Sequence, residues 1–157
     1  MIFVTGLPRS RTGWFSLYLG VPHELLNGCH SKKEFYALAE AYGGTSDCAL
    51  AVTDFQEHWP DAKTVVIHRE PKDVYNSLQR LGHAMHLGML ESLAEKLKDL
   101  KGLHVRFEDV NHSLEAVCAY LGVGFDPMKA ERFKRMSVEP MEIHGDPKSM
   151  EVWQWGG

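Results

Sequence analysis

The 157 residues predict an α/β domain in three layers, with helices on both faces of a central parallel sheet. Three observations carry that reading. Short apolar runs alternate along the chain with stretches of helical periodicity. The run Thr64-Val65-Val66-Ile67-His68 is β-branched almost throughout, as a strand buried on both faces requires. The segments between candidate strands are long enough for helical crossovers.

Ile2 to Val4 opens the chain as a short buried strand. Gly6 and Pro8 then demand a loop, after which Trp14, Phe15, Leu17, Tyr18 and Leu19 continue as a helix. Leu19 to Gly28 is a connection punctuated by Gly20, Pro22 and Gly28. Ser31 and Glu34 form a capping box for a helix with Phe35, Leu38, Ala39 and Tyr42 on one face, ended by Gly43-Gly44. Ala49 to Val52 is predicted as the second strand, and Trp59-Pro60-Asp61 as the turn before Thr64–His68.

Pro71 suits the first turn of a helix carrying Val74, Leu78 and Leu81, punctuated by Gly82. Leu87, Leu90, Leu93, Ala94, Leu97 and Leu100 make an amphipathic helix that Gly102 stops. Leu103 to Phe107 is a further strand. Ser113, Glu115 and Ala116 open a helix that Gly122 closes, and Pro127 starts a last one toward Met136. The domain is read as residues 1–136. Residues 137–157, with Pro140, Pro147, Trp153 and Trp155, form a tail of the same domain, either a closing flap or a partly disordered end.

The formal net charge of −4 argues against general nucleic-acid binding. No apolar run approaches the roughly 20 residues that cross a bilayer, so no membrane partner is expected. The opening residues do not read as a secretory signal, because Arg9 and Arg11 follow a short apolar run at once. Cys29, Cys48 and Cys118 are odd in number and widely spaced, which reads as reduced thiols in a cytoplasmic protein. Cys29-His30 and His83/His86 are the only close metal-ligand groupings. Neither has a partner pair at zinc spacing, so no metal is expected.

A strand, a tight loop and a helix N-terminus place several backbone N–H groups around one point, which favours an anion. Arg9, Ser10, Arg11 and Thr12 add two cations and two hydroxyls there. The ATP-type loop, with a second glycine followed by Lys and Ser/Thr, does not fit. The run Gly6-Leu7-Pro8-Arg9-Ser10-Arg11-Thr12-Gly13-Trp14 instead resembles the phosphosulfate-binding loop of the sulfotransferase family. There Pro is followed by Lys or Arg, Ser, Gly, Thr, a hydroxyl residue and often Trp. Arg11 departs from it where glycine is usual, and Gly13 where a hydroxyl residue is usual.

Val66-Ile67-His68-Arg69-Glu70-Pro71-Lys72-Asp73-Val74-Tyr75-Asn76-Ser77 resembles the same family's 3′-phosphate motif, an apolar strand, then Arg, Pro, Asp and a later Ser. A third resemblance is the strand running into Arg106-Phe107-Glu108-Asp109-Val110, followed by Tyr120-Leu121-Gly122. The family pattern there is Arg-Tyr-Glu-Asp-Leu and then Phe-Leu-Gly. The Arg/Lys-Gly-rich C-terminal loop of many members is not recognisable. His144-Gly145-Asp146-Pro147-Lys148 is at best a remnant of it.

The resemblance implies a P-loop NTPase-like fold and transfer of a sulfuryl group from 3′-phosphoadenosine 5′-phosphosulfate (PAPS), without a metal, to a hydroxyl or amine of a small molecule or peptide side chain. It implies that Arg9 meets the bridging oxygen and that Pro8 to Trp14 (Pro8, Arg9, Ser10, Arg11, Thr12, Gly13, Trp14) surround the 5′ side through backbone N–H groups and hydroxyls. Arg69 and Ser77 would hold the 3′-phosphate, Arg with a planar fork and Ser with a short donor. The catalytic base would come from His23 or Glu24, with His30 next. Arg11 either adds a second charge or turns away into solvent. Asp73 is a helix-dipole partner or a clamp on Arg69. Two other readings stay open: a P-loop-type kinase for a small molecule or nucleotide, and a non-catalytic nucleotide binder with the same fold.

Overall fold

Four parallel strands pair in the order β2-β1-β3-β4. They are β1 (Ile2–Gly6), β2 (Gly44–Ser46), β3 (Lys63–His68) and β4 (Leu103–Arg106). The computed structural model describes residues 1–136, so the expected flap, the remnant at 144–148 and the two C-terminal tryptophans lie outside the described residues. Among the described residues, seven helices connect and cover the strands: α1 (Thr12–Leu19), α2 (Lys32–Tyr42), α3 (Phe55–His58), α4 (Pro71–Arg80), α5 (Leu87–Lys98), α6 (Val110–Leu121) and α7 (Pro127–Lys134).

Alternation along β1 and β3 divides the core between two faces. Val4, Val65, Ile67 and Val105 pack with Trp14, Phe15 and Tyr18 of α1 and with Val117 and Ala130 of α6 and α7. Val66 packs oppositely with Val74, Leu78, Leu90 and Leu97, and Phe3 with Phe35, Ala39, Leu50 and Phe55. The expected three layers therefore form. Ser31 caps α2 by accepting from the Glu34 N–H at 3.1 Å. The Glu34 carboxylate reaches back one residue further than a standard box, to the His30 N–H at 2.8 Å.

The second strand is not where the apolar run predicts it. Leu50–Val52 forms a 3-10 turn, and the sheet instead takes Gly44–Ser46. Gly44 has φ +135°, and a Cβ on it would lie 1.7 Å from the Ile2 carbonyl oxygen, so only glycine lets the chain pass this close to β1. Thr45 and Ser46 are buried polar residues that satisfy their own hydroxyls, Thr45 on the Pro22 carbonyl at 2.9 Å and Ser46 on the Thr12 carbonyl at 2.6 Å. Hydrogen bonds replace hydrophobicity here, which an apolar pattern cannot signal. Helix α6 also starts earlier than Ser113, because a 3-10 turn at Phe107–Asp109 feeds directly into buried Val110.

At the end of β3, His68 Nε2 lies 2.6 Å from His104 Nδ1, and His104 Nε2 donates to the Leu100 carbonyl at 2.8 Å. With His104 Nε2 donating to the carbonyl, its Nδ1 is the acceptor and His68 Nε2 the donor. Burial first, then His104 and Lys98, hold the His68 pKa below its ordinary value. A histidine whose folded pKa is depressed stabilises the fold above the unfolded pKa of about 6.5 and loses that contribution as pH falls through the folded value. The melting temperature is therefore expected to decline as pH falls below about 6.5, and His68→Gln to flatten that decline in thermal scans. A variant with the parent's slope would show that the pair does not set it.

Candidate active site

The site is built where β1 ends. Gly6 lets the strand pass under the following loop: a Cβ there would sit 2.8 Å from the Ile67 carbonyl oxygen and 3.2 Å from Ser10 Cβ. The Ser10 N–H closes the loop on the Leu7 carbonyl at 3.2 Å. Arg9 and Arg11 both adopt the left-handed region, at φ 65° and 68°, conformations that bulky residues keep only where the surroundings enforce them. The first helical bond of α1 runs from the Phe15 N–H to the Arg11 carbonyl at 2.9 Å. The amides of Arg11, Thr12, Gly13 and Trp14 therefore have no acceptor within the helix. Ser10 is fully buried, yet its hydroxyl has no hydrogen-bond partner in the protein; among the described residues only Thr5 Oγ1 shares that state. An orphaned hydroxyl beside a ring of first-turn amides suits an anion that completes it.

The end of β3 converges on this loop. The Arg69 guanidinium donates to the Arg9 carbonyl, and Arg9 Nε donates to the hydroxyl of Ser77 on α4 at 3.2 Å. Arg69 stacks on Phe107, 4.1 Å from the ring centre. Asp73 lies in the first turn of α4 and makes no direct salt bridge to Arg69, although its charge favours the Arg69 cation. Arg11 does not turn into solvent. It donates to Asn111 Oδ1 at 2.6 Å and sits over the rings of Trp14 and Phe107. Burial lowers the pKa of both Arg11 and Arg69. Trp14 points its side chain into the core, with the indole N–H on the Phe133 carbonyl at 2.9 Å, so it can face the loop only through its backbone.

The candidate bases approach from the other side. His23 forms a bridge with Ser46 of β2, and its Nε2 lies 3.2 Å from Thr12 Oγ1 and 4.0 Å from Glu24 Oε1. The His23 side chain is 8% exposed and that of Glu24 29%. Glu24 also accepts from Asn27 Nδ2 at 2.9 Å and from the Cys48 thiol at 3.5 Å. Buried Asp47 holds the turns on either side, accepting from the Leu26 and Ala49 N–H groups at 2.9 and 2.8 Å. Burial raises the Asp47 pKa and drives the Cys48 thiol far above its ordinary range. His30 is exposed beyond this group, at the head of α2.

Pro8 to Trp14, Arg69, Ser77, His23 and Glu24 thus occupy one end of the sheet. Ser46, Asp47 and Asn111 belong to the same region and are not picked out by motif, and Phe107 of the third motif joins them. A buried acid directly after a Thr-Ser pair was the one available signal for Asp47. Among the described residues no cluster of three His, Cys, Asp or Glu side chains could hold a metal. No described helix is long and apolar enough to cross a membrane.

Residues 8–139 match the Sulfotransferase domain family. The chain belongs to the sulfotransferase family. No match was found among curated protein sequences. Among solved structures, this sulfotransferase-family chain is similar to mouse sulfotransferase SULT7A1 complexed with PAP, at 14% identity and a TM-score of 0.55. That alignment covers 85% of this chain and 62% of the mouse chain. The sulfotransferase domain from the curacin biosynthetic pathway is similar at 14% identity and TM-score 0.55, over 87% of this chain and 78% of that one. At such identity the likeness establishes the shared P-loop-like fold. The chain spans about three fifths of the length of the mouse protein.

Proposed function

We propose that this sulfotransferase-family protein uses PAPS as its donor and passes the sulfuryl group to a hydroxyl or amine of a small molecule or peptide side chain. The observation that carries the reading is the contact between the two strand ends: Arg69 on the Arg9 carbonyl, and Arg9 on Ser77, beside the orphaned Ser10 hydroxyl. The mouse structure, described as a complex with PAP, supports the same nucleotide class.

When bound, the nucleotide supplies the sulfuryl group and leaves as adenosine 3′,5′-bisphosphate. The first-turn amides of α1 and the Ser10 hydroxyl would hold the 5′-side oxygens. Arg9 would neutralise charge on the leaving side, exchanging its Ser77 contact for the ligand. Arg69 and Ser77 would bind the 3′-phosphate. His23, positioned by Thr12, would accept the proton from the acceptor at Nε2, the nitrogen that faces the loop.

Adenosine 3′,5′-bisphosphate at a thousand times its Kd is expected to stabilise the full chain by about 4 kcal/mol, about 10 °C in Tm, well beyond ATP with magnesium. An equal response to the two nucleotides, or none to the bisphosphate, would overturn the donor assignment. Turnover of PAPS against a panel of acceptors then distinguishes an enzyme from a binder.

A further inference from the structure

Arg11 stands where the family usually has glycine, and its side chain lies over Phe107, the ring that Arg69 also covers. Its guanidinium carbon is 5.8 Å from the centre of the Phe107 ring, and that of Arg69 is 4.1 Å from the same centre. The two cations are therefore no further apart than those distances added together. Among the described residues, no carboxylate lies within ion-pairing distance of either guanidinium. Burial disfavours the charge on both, and for Arg69 the more distant charges of Asp73 and Glu108 offset part of that while Arg80 adds to it. A partly desolvated cation is unfavourable by itself, and an anion relieves that cost. Donors remain to bind one, because each guanidinium has five N–H groups. The Arg11 bond to Asn111 and the Arg69 bond to the Arg9 carbonyl leave most of them available.

We propose that Arg11 and Arg69 jointly bind one phosphate monoester, with Phe107 as their common spacer and Asn111 as the anchor that aims Arg11. Resting on the donor reading above, this phosphate is the nucleotide's 3′-phosphate, since Ser77 and Arg69 mark that side. A monoester carries close to two negative charges at neutral pH, which two guanidiniums match. Arg11 is then a direct ligand of the nucleotide, and Phe107 and Asn111 are positioning residues.

The test compares adenosine 3′,5′-bisphosphate with adenosine 5′-monophosphate by titration calorimetry on the full chain. Arg11→Gly is expected to lose about tenfold of the bisphosphate preference while the monophosphate Kd stays within about twofold. Glycine accepts φ 68° without strain, so a misfolded loop does not explain the loss. Asn111→Ala should lose a smaller share. Phe107→Leu should lose preference that Phe107→Tyr keeps, because tyrosine retains the ring face. Full preference in Arg11→Gly, or equal weakening of both nucleotides, overturns the clamp. If Arg69→Ala loses the preference and Arg11→Gly keeps it, the clamp alone falls. If the parent protein shows no preference, the donor reading falls and the clamp with it.

Discussion

Arg69→Ala is expected to remove the preference for adenosine 3′,5′-bisphosphate over ATP with magnesium. The bisphosphate should bind about a hundredfold more weakly, roughly 3 kcal/mol, because a partly buried charge-assisted contact to phosphate is lost. The guanidinium leaves the end of β3 and already spans to the Arg9 carbonyl, so it stands at the loop before ligand arrives. The same bond makes it structural. Its loss should lower unliganded stability by about 2 kcal/mol, a few degrees in Tm. The two effects separate, because the first is read as a ratio of nucleotide affinities and the second in unliganded protein. A variant that melts earlier but still prefers the bisphosphate would move the 3′ site elsewhere.

His23→Ala is expected to cost about a thousandfold in kcat, with the nucleotide Kd within a few fold, as loss of a positioned general base does. The side chain is nearly enclosed, its Nε2 meets Thr12 at the first turn of α1, and its backbone is pinned to β2. Glu24→Gln should cost about tenfold. Glu24 lies 4.0 Å from the imidazole and spends its oxygens on Asn27 and Cys48. Single-turnover sulfuryl transfer to an active acceptor measures both. If Glu24→Gln is the dead variant and His23→Ala turns over, the two roles exchange.

The sequence was legible where chemistry leaves a motif. The opening strand and loop, the Arg69 strand with its Pro71 helix, and the strand before Phe107 are written in apolar runs and fixed punctuation, and all lie where that pattern puts them. It was illegible where polar residues are buried by mutual hydrogen bonding. Thr45 and Ser46 enter the sheet because Pro22 and Thr12 accept from their hydroxyls, and those partners are distant in sequence. Helix α3 has four residues, too few to show a period. Arg11 was ambiguous for a different reason. Its direction depends on Asn111, a hundred positions away, and no local pattern reports that contact.

The short β2 carries a consequence for how this protein is able to fail. It is an outer strand with one neighbour, yet Ser46 ties to the Thr12 carbonyl and pairs with His23. Fraying of that margin would detach His23, the proposed proton acceptor, and slacken the proposed anion cradle in a single event, while β1, β3 and β4 stayed paired. Local opening at this edge is therefore expected to inactivate the protein without global denaturation.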